Sequence, residues 1–108
     1  MDYQVKISPT ATLQLNQTAR YISEILLVPE TAKKWLGVME EAILTLDTLP
    51  NRYPLTEEEP WHTKGIRKMV VKGFIVYYWV NEVKKVVTIT AVIYGKRDQI
   101  NALKDMKI

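Results

Sequence analysis

The pattern of apolar and polar positions is clearest between Gly65 and Asp98, where it predicts three consecutive β-strands. Each segment is rich in β-branched and aromatic residues, which suit a pleated, half-buried surface. The three segments are 66–72, 74–80 and 86–94. Gly73 and the polar stretch 81–84 separate them at lengths typical of hairpin turns, so we expect an antiparallel meander. Alternation in the third strand places four apolar residues on one face: Val87, Ile89, Ala91 and Ile93.

The first half of the chain predicts a short strand followed by two helices. Alternation over residues 3–8 indicates a strand with one buried face. Ser8-Pro9 and Val28-Pro29 then supply helix start signals, since Ser accepts hydrogen bonds from free amides and Pro is tolerated in the first turn. The first helix carries the apolar stripe Ala11, Leu15, Ala19, Ile22 and Leu26. The second carries Ala32, Trp35, Leu36, Met39, Ala42, Ile43 and Leu46, and ends at Leu49-Pro50.

The remaining segments complete an α+β fold in the order β-α-α-β-β-β-α. Residues 51–60 read as a loop, because they combine two prolines with an acidic run. Asp98 is expected to cap a final helix over 99–106, with Ile100, Leu103 and Met106 on one side. The first strand most simply lies beside the last ones, which predicts a four-stranded, mainly antiparallel sheet with both helices on one face. The other face is expected to be open.

Composition limits the chemistry that the chain can support. With 108 residues, 47% of them hydrophobic, we expect one domain over 1–108. The chain has no Cys, one His and no spaced set of carboxylates, so neither a metal nor another cofactor is expected. It has no apolar run of about 18 residues, and Met1-Asp2-Tyr3 is not a basic leader, which predicts a cytoplasmic protein without a membrane partner.

Charge is spread unevenly along the chain. Residues 60–98 hold eight basic side chains and two acidic ones, whereas the rest of the chain is mildly acidic. A basic sheet favours an anionic partner, with nucleic acid the first candidate, and the alternative is a solvated face that keeps the protein soluble. The basic and aromatic residues of this surface are Arg67, Lys68, Lys72, Tyr77, Tyr78, Trp79, Tyr94, Lys96 and Arg97.

Such a surface could bind single-stranded RNA, by charge at the phosphates and by stacking of bases on the rings. It could also cleave RNA without a metal, which requires a base, an acid and cations at the phosphate. Arg67, Lys68 and Arg97 are candidate cations, with Lys72 and Lys96 as further binding residues. His62 and Tyr94 are the nearby residues whose types suit proton transfer, although a surface His and a packed Tyr are the alternative interpretations.

Several segments resemble the RelE/ParE superfamily of toxins from bacterial type II toxin–antitoxin modules. They are YQVKISPTA, Leu49-Pro50 with the following RYPL, GIRKMVVKGFIVYYWV and VTITAVIYGKRD, in this order. The resemblance implies a small toxin that arrests growth, and a cognate antitoxin whose extended C-terminal segment covers the basic site. It also implies a curved antiparallel sheet packed on two N-terminal helices, in agreement with the pattern above.

The superfamily contains toxins with different targets. RelE-like toxins cut mRNA in the ribosomal decoding site, whereas ParE-like toxins poison DNA gyrase. Arg97, Arg67 and Lys68 match basic positions of the RelE-like pattern, but Ile75 stands where those enzymes carry Arg, and QINALKDMKI contains neither Tyr nor His. The favoured hypothesis is ribosome-dependent mRNA cleavage with a reduced catalytic set. The alternatives are a gyrase inhibitor that acts by binding, and a non-toxic protein that binds an antitoxin or regulates its operon.

Overall fold

The computed structural model describes residues 2–104 and 106, and it confirms the predicted order of elements. The four strands are β1 (Gln4–Ile7), β2 (Arg67–Val71), β3 (Phe74–Asn81) and β4 (Val86–Tyr94). The three α-helices are α1 (Pro9–Arg20), α2 (Pro29–Leu44) and α3 (Gln99–Ala102). None of the helices in this part of the chain is long and apolar enough to cross a bilayer.

The strands form one sheet in the order β1-β4-β3-β2. β2, β3 and β4 are antiparallel neighbours, as the hairpin turns predict, and β1 pairs with β4 in parallel, with Val5 opposite Val87. The expectation that the first strand lies beside the last ones is therefore confirmed. Lys72 and Gly73 both have positive φ, at 50° and 79°, and they form the tight turn between β2 and β3.

The helical hairpin covers one face of the sheet. Ser8 caps α1 by accepting a hydrogen bond from the Ala11 amide at 3.1 Å, and Pro9 occupies the first turn. A π-helical turn, Tyr21–Ile25, follows α1. Because a π turn is wider than an α turn, it shifts the phase of the predicted apolar stripe, and Leu26 at its end is 53% exposed instead of buried.

The main core lies between the helical hairpin and this face of the sheet. The helices contribute small and aliphatic residues, and the strands contribute mostly β-branched ones, which interdigitate with them. The buried members are Ala11, Leu15, Met39, Ile43, Leu46, Met69, Val76, Tyr78, Val87, Ile89 and Val92.

The second face of the sheet is covered, so the expectation of an open face is wrong. The loop before β2 and the segment that follows α3 pack on it with apolar side chains. The buried residues of this second core are Trp61, Ile66, Tyr77, Ala91, Ile93, Leu103 and Met106. The sequence pattern missed this core because its loop residues follow neither a helical nor a strand period.

A β-bulge in β4 allows one strand to contribute to both cores. Tyr77 lies opposite Ala91 and Tyr78 lies opposite Ile89, which leaves Thr90 as the extra residue. The extra residue shifts the alternation of side chains along β4 by one position. Ile89 therefore points to the main core and Ala91 to the second core. Val87 lies on the same face as Ile89, and Ile93 lies on the same face as Ala91. The prediction that all four residues share one face is therefore wrong. The Thr90 hydroxyl donates to the Tyr77 carbonyl oxygen at 3.2 Å.

The final helix is shorter than predicted. Asp98 caps it as expected, by accepting a hydrogen bond from the Asn101 amide at 3.3 Å, but the helix ends at Ala102. Leu103 and Met106 are buried, whereas Ile100, predicted to share their side, is 68% exposed. The part of the predicted helix at position 105 lies outside the described residues.

Candidate target-binding site

Four of the predicted site residues lie together at one end of the sheet. The Gly95 amide donates to the Gly73 carbonyl oxygen at 2.8 Å, which joins the β2–β3 turn to the end of β4. Lys72 precedes Gly73 in this turn, and Tyr94, Lys96 and Arg97 flank Gly95. The Tyr94, Lys96 and Arg97 side chains are exposed, and Lys72 stands beside them at the tip of the turn. This surface, formed by Lys72, Tyr94, Lys96 and Arg97, is called the basic end of the sheet below.

Aromatic packing and one glutamine hold the basic end in place. The Phe74 ring packs between Trp35 and Tyr94, with ring centroids 5.0 Å and 5.3 Å away. The Gln99 side-chain amide donates to the Tyr94 and Arg97 carbonyl oxygens at 2.8 Å and 3.0 Å. Its oxygen accepts a hydrogen bond from the Tyr77 hydroxyl at 2.8 Å. The turn that carries Lys96 and Arg97 is thus tied to a core tyrosine. Sequence reasoning missed Gln99, because a polar residue in a first helical turn gives no distinctive signal.

Arg67 lies at the other end of β2, about 17 Å along the strand from Lys72 by the rise of an extended chain. Its side chain lies on the face of the main core, where Nη1 donates to the Tyr53 carbonyl oxygen at 2.6 Å. The Tyr78 hydroxyl, on the strand opposite, donates to the Pro50 carbonyl oxygen at 2.5 Å. Arg67 and Tyr78 therefore fasten the 50–53 segment to the sheet, which is a structural role for this candidate cation.

Lys68 projects from the face opposite to that of Arg67, because successive residues of a strand alternate, and it lies across from Tyr77. Near it, the Glu58 carboxylate accepts a hydrogen bond from the buried Thr56 hydroxyl. This bond, with the Lys68 charge as a smaller cause, holds the pKa of Glu58 below its usual value. His62 is also near Thr56, with Nδ1 2.9 Å from the Thr56 carbonyl oxygen.

The five residues considered for catalysis thus lie in three places. Tyr94 and Arg97 are at the basic end, Arg67 is anchored to the main core, and Lys68 and His62 lie on the side of the second core. The prediction that Tyr77 and Tyr78 belong to an exposed stacking surface is wrong, since both are buried. Burial raises the pKa of each hydroxyl to about 12. Among residues 2–104 and 106, no group of three or more His, Asp and Glu side chains could hold a metal ion.

The fold is that of the RelE/ParE class of small toxins, as comparison with solved structures shows. The chain is 19% identical to a protein of the chromosomal ParDE toxin–antitoxin system from P. aeruginosa, with a TM-score of 0.72 over 88% of this chain and 98% of that one. It is 20% identical to a chain of the RelBE2 complex from Mycobacterium tuberculosis, with a TM-score of 0.60. This match covers 87% of this chain and 99% of that one. It is 19% identical to a chain of the archaeal RelE–RelB complex from Pyrococcus horikoshii OT3, with a TM-score of 0.60. This match covers 90% of this chain and 99% of that one.

A comparison at the level of sequence families identifies the particular family. The family model described as the ParE toxin of the type II toxin–antitoxin system parDE matches residues 5–99, which is most of the chain. The chain belongs to this family, and it is the toxin component of a type II toxin–antitoxin module. A search of curated proteins gave no significant match.

Proposed function

We propose that this toxin arrests growth by binding DNA gyrase, in the manner of ParE-like toxins, and does not cut RNA. The observation that carries the proposal is the composition of the basic end. Lys72, Lys96 and Arg97 are grouped there, whereas His62 lies on another part of the molecule. General acid–base catalysis needs both proton-transfer groups within hydrogen-bonding reach of one substrate. Binding to an anionic surface needs only accessible, well-positioned cations.

The geometry of the basic end suits such binding. Its two turns are joined through Gly73 and Gly95, and Gln99 fixes the backbone that carries Arg97. Cations on a rigid support lose less conformational freedom when they bind, which favours affinity. Gyrase acts while bound to DNA, so its complex offers phosphate groups to which cations can bind. Contacts of this kind weaken as salt screens the charges.

Neutralisation by a cognate antitoxin is the second part of the proposal. The solved structures of similar fold include toxin–antitoxin complexes, and membership of the ParE family places this chain in a two-component module. The partner is expected to be a small acidic protein encoded beside the toxin gene, because its segment must cover a basic surface.

A supercoiling assay with purified gyrase tests the target. We expect the toxin to inhibit supercoiling and to trap cleaved DNA, and the double variant Lys96→Ala/Arg97→Ala to lose at least tenfold in potency. The matched control is Lys33→Ala, which removes an exposed cation of the helical hairpin whose ammonium lies 4.0 Å from Glu30. Unchanged supercoiling at micromolar wild-type toxin would rule out gyrase as the target.

Ribosome-dependent mRNA cleavage is the second candidate, and one observation favours it. Glu58 and His62 both contact Thr56, and Lys68 is near Glu58, so a carboxylate, an imidazole and an ammonium lie in one neighbourhood. Mapping of transcript 5′ ends during growth arrest tests this candidate, because new ends within A-site codons would support it. Expression without any growth defect would instead point to the non-toxic, antitoxin-binding alternative.

A further inference from the structure

A buried tyrosine of the second core is connected to the basic end of the sheet through one glutamine. The Tyr77 side chain is 1% exposed, and its hydroxyl donates to the Gln99 Oε1 atom at 2.8 Å. Gln99 Nε2 in turn donates to the carbonyl oxygens of Tyr94 and Arg97, at 2.8 Å and 3.0 Å. These three hydrogen bonds form a continuous path from the interior to the turn that carries Arg97. The path through Tyr77 and Gln99 is called the tyrosine–glutamine relay below.

The order of donors and acceptors in the relay allows one orientation of the Gln99 amide. The Tyr94 and Arg97 carbonyl oxygens can only accept, so the amide NH2 group must face them. The amide oxygen then faces Tyr77, whose hydroxyl must donate. Burial raises the pKa of that hydroxyl to about 12, so the hydroxyl keeps its proton at neutral pH. A phenylalanine at position 77 would fill the same space and leave the amide oxygen without its donor.

The turn after β4 depends on Gln99 at its last residue. The Arg97 amide donates to the Tyr94 carbonyl oxygen at 3.0 Å, and this bond closes the turn. Within the part of the chain that the structure describes, the Arg97 carbonyl oxygen accepts a hydrogen bond from Gln99 alone. Loss of that donor would free the peptide group next to the Arg97 side chain. The guanidinium would then lose its fixed support, although its own exposure would not change.

We propose that Tyr77 and Gln99 are positioning residues for target binding, because they hold the Arg97 side chain where it contacts the target. The inference rests on the proposed function, in that it takes Arg97 to contact gyrase. Tyr77 is too buried to touch a partner itself, so its effect on binding passes through Gln99. A cation that is already held in place loses less conformational freedom on association than a mobile one.

The relay gives the second core a part in target binding. Tyr77 belongs to the same buried cluster as Trp61, from the loop before β2, and Leu103, from the segment after α3. The bulge residue Thr90 also fixes this tyrosine, since its hydroxyl donates to the Tyr77 carbonyl oxygen at 3.2 Å. The placement of Arg97 therefore depends on a layer of the protein that does not reach the basic end itself.

Two neighbouring tyrosines offer a matched comparison. Tyr78 is as deeply buried as Tyr77, and its hydroxyl also donates to one acceptor, but that acceptor is the Pro50 carbonyl oxygen. Tyr77→Phe, Tyr78→Phe and Gln99→Leu are compared with wild type in the gyrase supercoiling assay, at equal concentrations of folded full-length protein. We expect potency to fall about fivefold for Tyr77→Phe and about tenfold for Gln99→Leu, the scale of one or two lost hydrogen bonds. Tyr78→Phe should stay within about twofold of wild type, although it is less stable.

A double-mutant cycle shows whether the relay acts through Arg97. Gln99→Leu is measured again in the Arg97→Ala background, at toxin concentrations high enough for inhibition to be seen. We expect no further loss of potency there, because the side chain that the relay positions is absent. The same loss in both backgrounds would mean that Gln99 acts on binding by another route, and would overturn the inference.

The outcomes separate this inference from the proposed function. If wild-type toxin does not inhibit gyrase, the proposed function fails, and the inference fails with it. If wild type inhibits gyrase and Lys96→Ala/Arg97→Ala does so less, but Tyr77→Phe and Tyr78→Phe are equally potent, only the relay is overturned. Gln99 is partly exposed, so Gln99→Leu and its cycle with Arg97→Ala decide the question even where Tyr77→Phe does not fold.

Discussion

The amide of Gly95 donates to the carbonyl oxygen of Gly73 at 2.8 Å, and this contact leaves no room for a side chain at position 95. A Cβ placed on Gly95 would lie 2.8 Å from the same carbonyl oxygen. Because the contact joins the two turns of the basic end, Gly95 serves both the stability of the sheet and the placement of Lys72 and Arg97.

Gly95→Ala is therefore expected to lower the free energy of unfolding by about 1–3 kcal/mol, the usual cost of overpacking. Chemical denaturation of the purified protein measures this change. Gly37→Ala is the matched control, since Gly37 is an exposed helical residue and a Cβ added there would meet no atom within 4 Å. It should raise stability by about 0.5–1 kcal/mol. Equal effects of the two substitutions would contradict this account of Gly95.

Tyr78→Phe tests the hydrogen bond between the strand and the 50–53 segment. The substitution leaves the carbonyl of the buried residue Pro50 without its partner, which is expected to cost about 1–3 kcal/mol of unfolding free energy. Tyr21→Phe removes a hydroxyl from a tyrosine that is 53% exposed and should change stability by less than about 0.5 kcal/mol. Thermal or denaturant unfolding of both variants is the measurement, and similar stability of the two would refute a structural role for the Tyr78 hydroxyl.

Substitutions of the two candidate arginines, Arg67 and Arg97, should have different effects: the first on stability and the second on toxicity. Arg67→Ala removes the donor to the Tyr53 carbonyl, so we expect a loss of about 1–2 kcal/mol in stability. Arg97→Ala alters an exposed side chain and should leave stability within about 0.5 kcal/mol, while growth arrest on expression becomes much weaker. Full toxicity of Arg97→Ala at equal expression would remove Arg97 from the binding site.

Glu58 should make stability depend on pH in the acidic range. The pKa of the Glu58 carboxyl is lowered in the folded state, chiefly by the hydrogen bond from Thr56. Its contribution to stability is therefore fully present at pH values above the pKa that this carboxyl has in the unfolded state. That contribution is lost as pH falls through the lower, folded-state pKa. Unfolding curves between about pH 3 and pH 7 should therefore show a steeper loss for wild type than for Glu58→Gln. Parallel curves would mean that the carboxylate contributes nothing.

The fold could be predicted from the sequence largely because its signals are local. Ser8-Pro9 fixes the start of α1, Gly73 fixes a turn, and β-branched runs give the strands almost to the residue. The bulge at Thr90 could not be predicted in this way, since it depends on which residues of β3 lie opposite. The second core was missed for a similar reason, because Trp61 is held by tertiary contacts in a segment without a period.

Most of the candidate site was predicted from residues that are close in sequence. Tyr94 ends β4, and Lys96 and Arg97 follow it directly, so their grouping needed no knowledge of the fold. Arg67 and Lys68 are also adjacent in sequence, but successive residues of a strand point to opposite faces of the sheet. The two side chains, predicted to act together, therefore lie in two different places. The Gln14 side chain accepts a hydrogen bond from the distant Val92 amide, and the Gln99 side chain donates to the nearby Tyr94 carbonyl oxygen. Residue type alone predicts neither contact.

The bulge at Thr90 has a consequence for how the molecule unfolds. Because β4 supplies side chains to the layers on both sides of the sheet, neither layer can be lost without exposing the other's share of that strand. The two layers should therefore behave as a single cooperative unit, and amides in the middle of β4 should exchange with solvent only through global unfolding. A one-residue insertion in a strand thus makes the stability of the helical hairpin and of the C-terminal segment interdependent.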